Sequence, residues 1–359
     1  MGRSSARRYS LLALAALCLG LGLAGACGPA GSAPAGQAGS APAGVPAARP
    51  PEIVQLRLHV PSRSTSYLPW YLAIEQGYFQ EQNLAVELIQ SPGTTGLAAL
   101  IAGEVQFSAN VSAGIPALAQ GAGLKVIFIQ SGKANYWFTT RPEINTLQDL
   151  KGKRVVVPNL GMSDAYTRLL AAALRKAGMD PLNDVIFIAG GSSGGGGSDI
   201  LVGALVAGAA DGMVGNVLQR LAAEAQGFHT IYSFADSPDL QGGVVTTDNM
   251  LRTRPDVVRR FLTAAVKGVR VMAEDPETSL DVLLRYVELD RGEAAKGLGY
   301  VRPLMSKDGL ITPTEQRDGL EKLKEANPQI ESLEVSQVFD FDPLQDAIRT
   351  VDASGWQPR

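Results

Sequence analysis

From Glu52 onward, strand-like and helix-like segments alternate, and the alternation runs through twice. Val54-Gln55-Leu56-Arg57-Leu58-His59-Val60 carries apolar residues at every second position, the period of a strand. A helical stretch over 67–82 follows, with Pro69 near its first turn, where proline is tolerated. Further strands are expected over 85–89, 105–109, 124–130 and 136–140, with helices over 97–102 and 112–119. The pattern then restarts. Strands are expected over 154–157, 184–189, 212–214, 230–234 and 243–247, and helices over 164–177, 199–207 and 216–225. From Arg254 the pattern is mostly helical. Such alternation calls for mostly parallel sheets covered by helices on both faces. Two blocks of it predict an α/β protein of two lobes. Ligands in such folds bind beyond the carboxyl ends of the strands, where loops meet helix N-termini.

The first 51 residues are of another kind. Arg3, Arg7 and Arg8 precede an apolar run over 11–23, and Ala24-Gly25-Ala26 leads to Cys27. A charged start, a short apolar run and small residues make up a secretory signal, expected over 1–26. The run is too short for a span of about twenty residues. The cysteine at the cleavage point resembles a bacterial lipoprotein signal, in which that cysteine is acylated. The usual pattern has leucine three residues before the cysteine, whereas here Ala24 stands there and Leu23 comes one earlier. Lipidation of Cys27 and plain cleavage near Ala26 are therefore both open. Residues 28–51 are almost only Gly, Ala, Pro and Ser, too poor in apolar bulk to fold, so 27–51 reads as a tether. As a flexible chain it would span about 25–30 Å.

Charge and rare residues exclude several classes. The net charge of −3 becomes −6 once the three leader arginines are set aside. An acidic body without a basic patch argues against a nucleic-acid partner. Both cysteines, Cys18 and Cys27, lie before the body, which therefore has no disulfide, thiolate metal site or cysteine nucleophile. With only His59 and His229, a histidine-rich metal site is excluded by count, although an all-carboxylate site is not. No metal and no cofactor is expected.

Several segments resemble one family. Tyr67-Leu68-Pro69-Trp70-Tyr71-Leu72-Ala73-Ile74-Glu75-Gln76-Gly77-Tyr78-Phe79 is similar to the opening of solute-binding proteins of the sulfonate, nitrate, taurine and thiamine-pyrimidine-precursor type. Val86-Glu87-Leu88 resembles the family's second strand, and 97–107 its helix–glycine–strand step. Asp149-Leu150-Lys151-Gly152-Lys153-Arg154-Val155 matches the passage into the second lobe, and 204–212 repeats the earlier step. The resemblance covers residues 54–348. It implies the two-lobed type II periplasmic-binding-protein fold, with lobe 1 from 52–140 plus 234–359, lobe 2 from 141–233, and a ligand cleft between. It implies a non-enzymatic extracytoplasmic receptor, expected to be monomeric, that delivers a small-molecule ligand to an ABC permease from a membrane anchor of lipid. A sensor subunit would share the fold. So would a thiamine-pyrimidine synthase, although the leader and scarcity of histidine speak against an enzyme.

Loops at strand ends supply the candidate site. Ser66 and Tyr67 follow the first strand, and Trp70 offers a ring for a planar ligand. Gly93, Thr94 and Thr95 follow the second strand, and Asn110 the third. Tyr136 precedes the crossing into lobe 2, where Gly161, Ser163 and Asn216 open helices after strands. Each helix-opening residue is equally suited to plain capping. Hydroxyl, amide and aromatic groups in this set, with few cations, favour a small planar organic ligand or an organic acid held at helix N-termini. The glycine run over 190–198 lacks the Lys-Ser/Thr ending of a phosphate loop and reads as a surface loop.

Overall fold

A computed structural model of the chain describes residues 52–358, apart from 62–63, 162–163, 191–197, 241 and 326. The leader, Cys27 and the tether lie outside the described residues, as do Ser163 and most of the glycine run.

Ten strands form two five-stranded sheets among the described residues. The strands are β1 (Val54–Val60), β2 (Leu84–Gln90), β3 (Phe107–Ser108), β4 (Leu124–Ile129) and β5 (Trp137–Thr140). They continue as β6 (Lys153–Val157), β7 (Val185–Ala189), β8 (Gly212–Gly215), β9 (His229–Ser233) and β10 (Gly243–Thr247). The helices of the first half are α1 (Leu68–Glu75), α2 (Tyr78–Glu81), α3 (Gly93–Ala102), α4 (Val111–Ala119), α5 (Ala165–Lys176), α6 (Ser198–Val206) and α7 (Val217–Ala225). The rest are α8 (Asp248–Thr253), α9 (Pro255–Glu274), α10 (Pro276–Leu283), α11 (Arg291–Val301), α12 (Pro313–Lys324), α13 (Val335–Val338) and α14 (Asp342–Ala353). No described helix is long and apolar enough to cross a membrane.

The first sheet has the order β2-β1-β3-β10-β4 and the second β7-β6-β8-β5-β9. In each, one strand opposes the others: β10 runs antiparallel to β3 and β4, and β5 to β8 and β9. Both follow a crossing between sheets and enter the interior of their new sheet from the opposite end. The sheets are thus mostly parallel, as the alternation required. The sequence-based boundary after residue 140 left β5 with the first lobe, whereas its hydrogen bonds put it in the second sheet. A short strand flanked by polar residues carries no signal of which sheet it joins.

Each lobe has its own apolar core. Leu58, Phe107, Phe128 and Val245 pack in the first, with Trp70 of α1 and Phe261 of α9. Phe138, Val155, Val157, Leu170 and Leu174 pack in the second. Each fully buried side chain of this size contributes about 1.5–3 kcal/mol. The expected helix over 67–82 is broken at Gly77, whose φ of 74° closes α1 and starts α2.

The two crossing segments run side by side. Gln130 N–H donates to Gly242 O, Asp239 N–H to Gly132 O, Ala134 N–H to Ser237 O and Phe234 N–H to Tyr136 O. This ribbon is the connection about which one sheet can turn against the other.

Candidate functional site

Above the ribbon lies a cavity of about 220 Å³. Pro61, Ser64, Ser66 and Tyr67 reach it from the loop after β1, and Asn110 and Ser112 from the start of α4. Gln130, Ser131, Asn135, Tyr136 and Gly242 form its floor on the ribbon, with Met305 beside them. Tyr166 of α5 and Asn216 at the start of α7 face it from the second lobe. Carboxyl ends of strands from both sheets meet there, where an α/β fold places its ligands. At about 30 Å³ per water, the space suits roughly seven waters, or one substituted ring.

Five expected residues, Ser66, Tyr67, Asn110, Tyr136 and Asn216, line this cavity. Gly93 stands behind Asn110, since a Cβ on it would fall 2.3 Å from Asn110 Nδ2. Thr94 and Thr95 are exposed and do not line it. The helix begins at Gly93, earlier than expected, and carries both threonines to the solvent face. Gly161 has a φ of 109° and sits in an exposed turn before α5. Trp70 is fully buried in the lobe 1 core, stacked on Phe261 and edge-on to Phe128. Burial of α1 from Leu68 through Ala73 leaves it no cleft-facing side for the indole. Ser163 lies outside the described residues, and so does Arg63, between Pro61 and Ser64.

Sequence reasoning missed Gln130, Ser131, Asn135, Tyr166 and Gly242. Tyr166 is two residues beyond the cap Asp164, so attention to the first turn of α5 would have found it. The others sit on crossing segments without any motif.

The helix N-termini here are already occupied by their own caps. Asn110 Oδ1 accepts from Ala113 N–H at 3.3 Å and from Ser112 Oγ at 3.0 Å. Asn216 Oδ1 accepts from Leu218 and Gln219 N–H at 2.9 and 3.1 Å. Asp164 Oδ1 accepts from Thr167 N–H at 3.0 Å. Each cap takes one or two of its helix's four free N–H groups, so these ends are only partly available to an organic acid.

Electrostatics agree. Among the described residues, no lysine, arginine, histidine or carboxylate lines the cavity. Burial raises the hydroxyls of Tyr67, Tyr136 and Tyr166 above their ordinary range. The carboxylates of Asp239 and Asp164 push Tyr136 and Tyr166 further up. Asp239 itself is buried in the ribbon and pushed up to about 7, with Arg168 opposing the shift. At neutral pH the tyrosines are neutral hydroxyls. Tyr136 and Tyr166 rings lie 4.6 Å apart, and Asn216 lines the cavity with them. No described cluster of three or more histidine, cysteine or carboxylate residues could hold a metal ion.

Three comparisons bear on this site. The profile of a family described as NMT1/THI5 like matches residues 64–279. The formylaminopyrimidine-binding protein of Halalkalibacterium halodurans is 26% identical over 231 residues, 60% of this chain. The chain spans 64% of that relative's length. The periplasmic aliphatic sulphonate binding protein SsuA from Escherichia coli is similar in structure, with a TM-score of 0.66 at 17% identity. That likeness covers 85% of this chain and 92% of SsuA. The desulfurization enzyme DszB has a TM-score of 0.58 at 14% identity, over 83% of this chain and 99% of its own. At such identities the structural likeness is one of fold, the periplasmic-binding-protein fold.

Proposed function

Because the chain belongs to the NMT1/THI5-like family, we propose that it is the extracytoplasmic solute-binding component of an ABC importer. It closes around a small organic ligand, sulfonate- or pyrimidine-like, and presents it to a membrane permease. The observation that carries this reading is a cavity shared by both lobes, floored by the ribbon that joins them. A ligand there touches both lobes at once only when they are closed, so binding selects the closed form.

Binding without turnover fits the chemistry of the walls. Ser66 Oγ accepts from Asn135 Nδ2 at 3.0 Å. Ser112 Oγ donates to Asn110, and Ser131 Oγ to the Leu304 carbonyl at 2.8 Å. These hydroxyls pair with amides and carbonyls, none with a general base. Residues 1–26 act as secretion signal, and Cys27 with the tether anchors a monomer through lipid to the outer face of the membrane.

Thermal unfolding of residues 27–359 against sulfonates, nitrate, pyrimidines and aromatic acids tests the reading. One class at about a hundred times its dissociation constant adds roughly 2.7 kcal/mol and raises the melting temperature by several degrees. Asn110→Ala abolishes most of that gain. Consumption of any compound by the protein, without a stabilising ligand, turns the reading towards an enzyme.

A further inference from the structure

The ribbon between the lobes buries a carboxylate that is no part of the cavity lining. Asp239 lies on the second crossing, where its N–H donates to Gly132 O at 3.1 Å. That is the lobe 1 half of the ribbon, next to the Gln130–Gly242 pair and away from the Tyr136–Phe234 pair that enters the second sheet. The residue is 3% exposed, and its Oδ2 is buried without a hydrogen-bond partner among the described residues. Part of its cover comes from the other lobe. Arg168 and Tyr166 of α5 face it, with Tyr136 from the first crossing. Asp164 faces the same two tyrosines. On the lobe 1 side stand Leu240, in the apolar core, and Glu315 of α12, which reaches Gly132 but is held by the N–H and hydroxyl of Thr312. Lys133, opposite Pro238, is exposed.

A carboxyl in such a place is destabilising as an anion and tolerated as a neutral acid. We propose that Asp239 couples a proton to lobe closure, staying protonated and buried in the closed form and ionising as the cleft opens. This rests on the solute-binding reading and adds its regulation. Asp239 sits in the lobe 1 half of the ribbon and α5 belongs to lobe 2, so turning the second lobe away carries Arg168 and Tyr166 off the carboxyl and lets water reach it. In the closed form burial pushes the carboxyl up to about 7, against the pull of the Arg168 guanidinium. Hydrated, it returns towards the ordinary 3.8. The closed form thus holds the proton more tightly. Closure has the full benefit below the ordinary value and loses it as pH rises through about 7. From pH 6 to pH 8 the ratio of closed to open protein falls about tenfold. Ligand affinity follows the same course, since binding selects the closed form.

Spin labels on the two rims of the cleft test this. Past Cys27 the chain has no cysteine, so Cys27→Ser gives a background into which Thr94→Cys and Leu160→Cys place one label on each lobe. Both positions are exposed, after the carboxyl ends of β2 and β6. Double electron–electron resonance on residues 27–359 without ligand reads the open and closed distances and their populations. The short distance should lose roughly tenfold against the long one between pH 6 and pH 8. Asp239→Asn, a neutral amide of the same shape, should hold the ratio near its pH 6 value throughout. Arg168→Met removes the opposing cation and should move the change to higher pH. A ratio that is constant in the wild type overturns the assignment, whether or not the variants fold. So does a change that survives in Asp239→Asn. A second distance, seen without ligand or on adding a sulfonate or pyrimidine, leaves the solute-binding reading standing in either case. One distance at every pH, unchanged by any of those compounds, overturns both.

Discussion

His59 stands next to the last residue of β1 with no exposure, and both ring nitrogens are committed. Nε2 donates to the Ser91 carbonyl at 2.9 Å, so the neutral ring's Nδ1 accepts from Ser108 Oγ at 2.8 Å. Gly96 closes over the ring so tightly that a Cβ there would fall 2.1 Å from it. The histidine thus ties β1, β3 and the turn before α3 together beneath Gly93. Burial lowers its pKa below the ordinary 6.5, against the opposing Ser91 hydrogen bond. The unfolded chain therefore takes up the proton first. The stability contributed by His59 is complete above about pH 6.5 and is lost as pH falls towards the folded value. The loss is at most about 1.4 kcal/mol per pH unit. Asp239 runs the other way, since its raised folded value of about 7 means stability is lost as pH rises through it. The informative quantity is thus the difference between wild type and His59→Gln. Urea unfolding at several pH values from 7.5 to 5 should show the wild type's advantage shrinking towards acid. A constant gap would remove His59 as the cause.

At the scale of elements, caps decide how the cleft is built. Asn216 closes α7 with a reciprocal capping box, its Oδ1 on the helix N–H groups and its own N–H on Gln219 Oε1 at 2.9 Å. The same residue lines the cavity wall together with Tyr166. Those two roles can be separated. Asn216→Ala should cost about 1 kcal/mol of stability and weaken ligand binding. Asn216→Asp keeps the cap, so stability should return while affinity does not, because a carboxylate sets a charge into a wall of uncharged groups. Recovery of both by aspartate would reduce Asn216 to a cap. The caps themselves were legible, because Asn or Asp before an apolar helical pattern has one local meaning. The facing of a helix was less so. Apolar residues run all round α1, so its pattern has no period to show that Trp70 points into the core rather than the cleft. For α3, a start displaced to Gly93 moved Thr94 and Thr95 to solvent, and boundaries are the weakest part of any sequence pattern.

At the scale of the molecule, the two lobes were legible from the repeated alternation, but the ribbon and its cavity floor were not. Gln130, Asn135 and Gly242 come together only because the chain crosses twice at one place, a long-range event without local periodicity. A second long-range contact joins the lobes beside the cleft. Helix α11, from the C-terminal part, packs on α7 of the second lobe and on the Thr65–Tyr67 turn that reaches the cavity. The Arg220 guanidinium of α7 lies 3.6 Å from the centroid of the Tyr300 ring of α11. Glu224 takes Arg220 Nε at 2.7 Å and Lys296 of α11 at 2.5 Å. Val217 and Leu221 of α7 join the same apolar cluster as Leu298 and Val301 of α11. Lys296 is half exposed, so its ion pair adds little, whereas Arg220 is mostly buried and its stacking carries more. A cation on an aromatic face in such surroundings contributes about 0.5–2 kcal/mol. Turning the second lobe away must slide α7 over α11 and disturb this stack, so the contact biases the ligand-free protein towards closure. Removing it with Tyr300→Ala should shift the population to the open form. Apparent affinity should fall by roughly two- to thirtyfold, since binding must then also supply the lost closing energy. Small-angle scattering should find a larger radius of gyration than wild type without ligand, and an equal one with saturating ligand. If the variant melts earlier but keeps the wild-type radius and affinity, α11 stabilises the second lobe without setting its position.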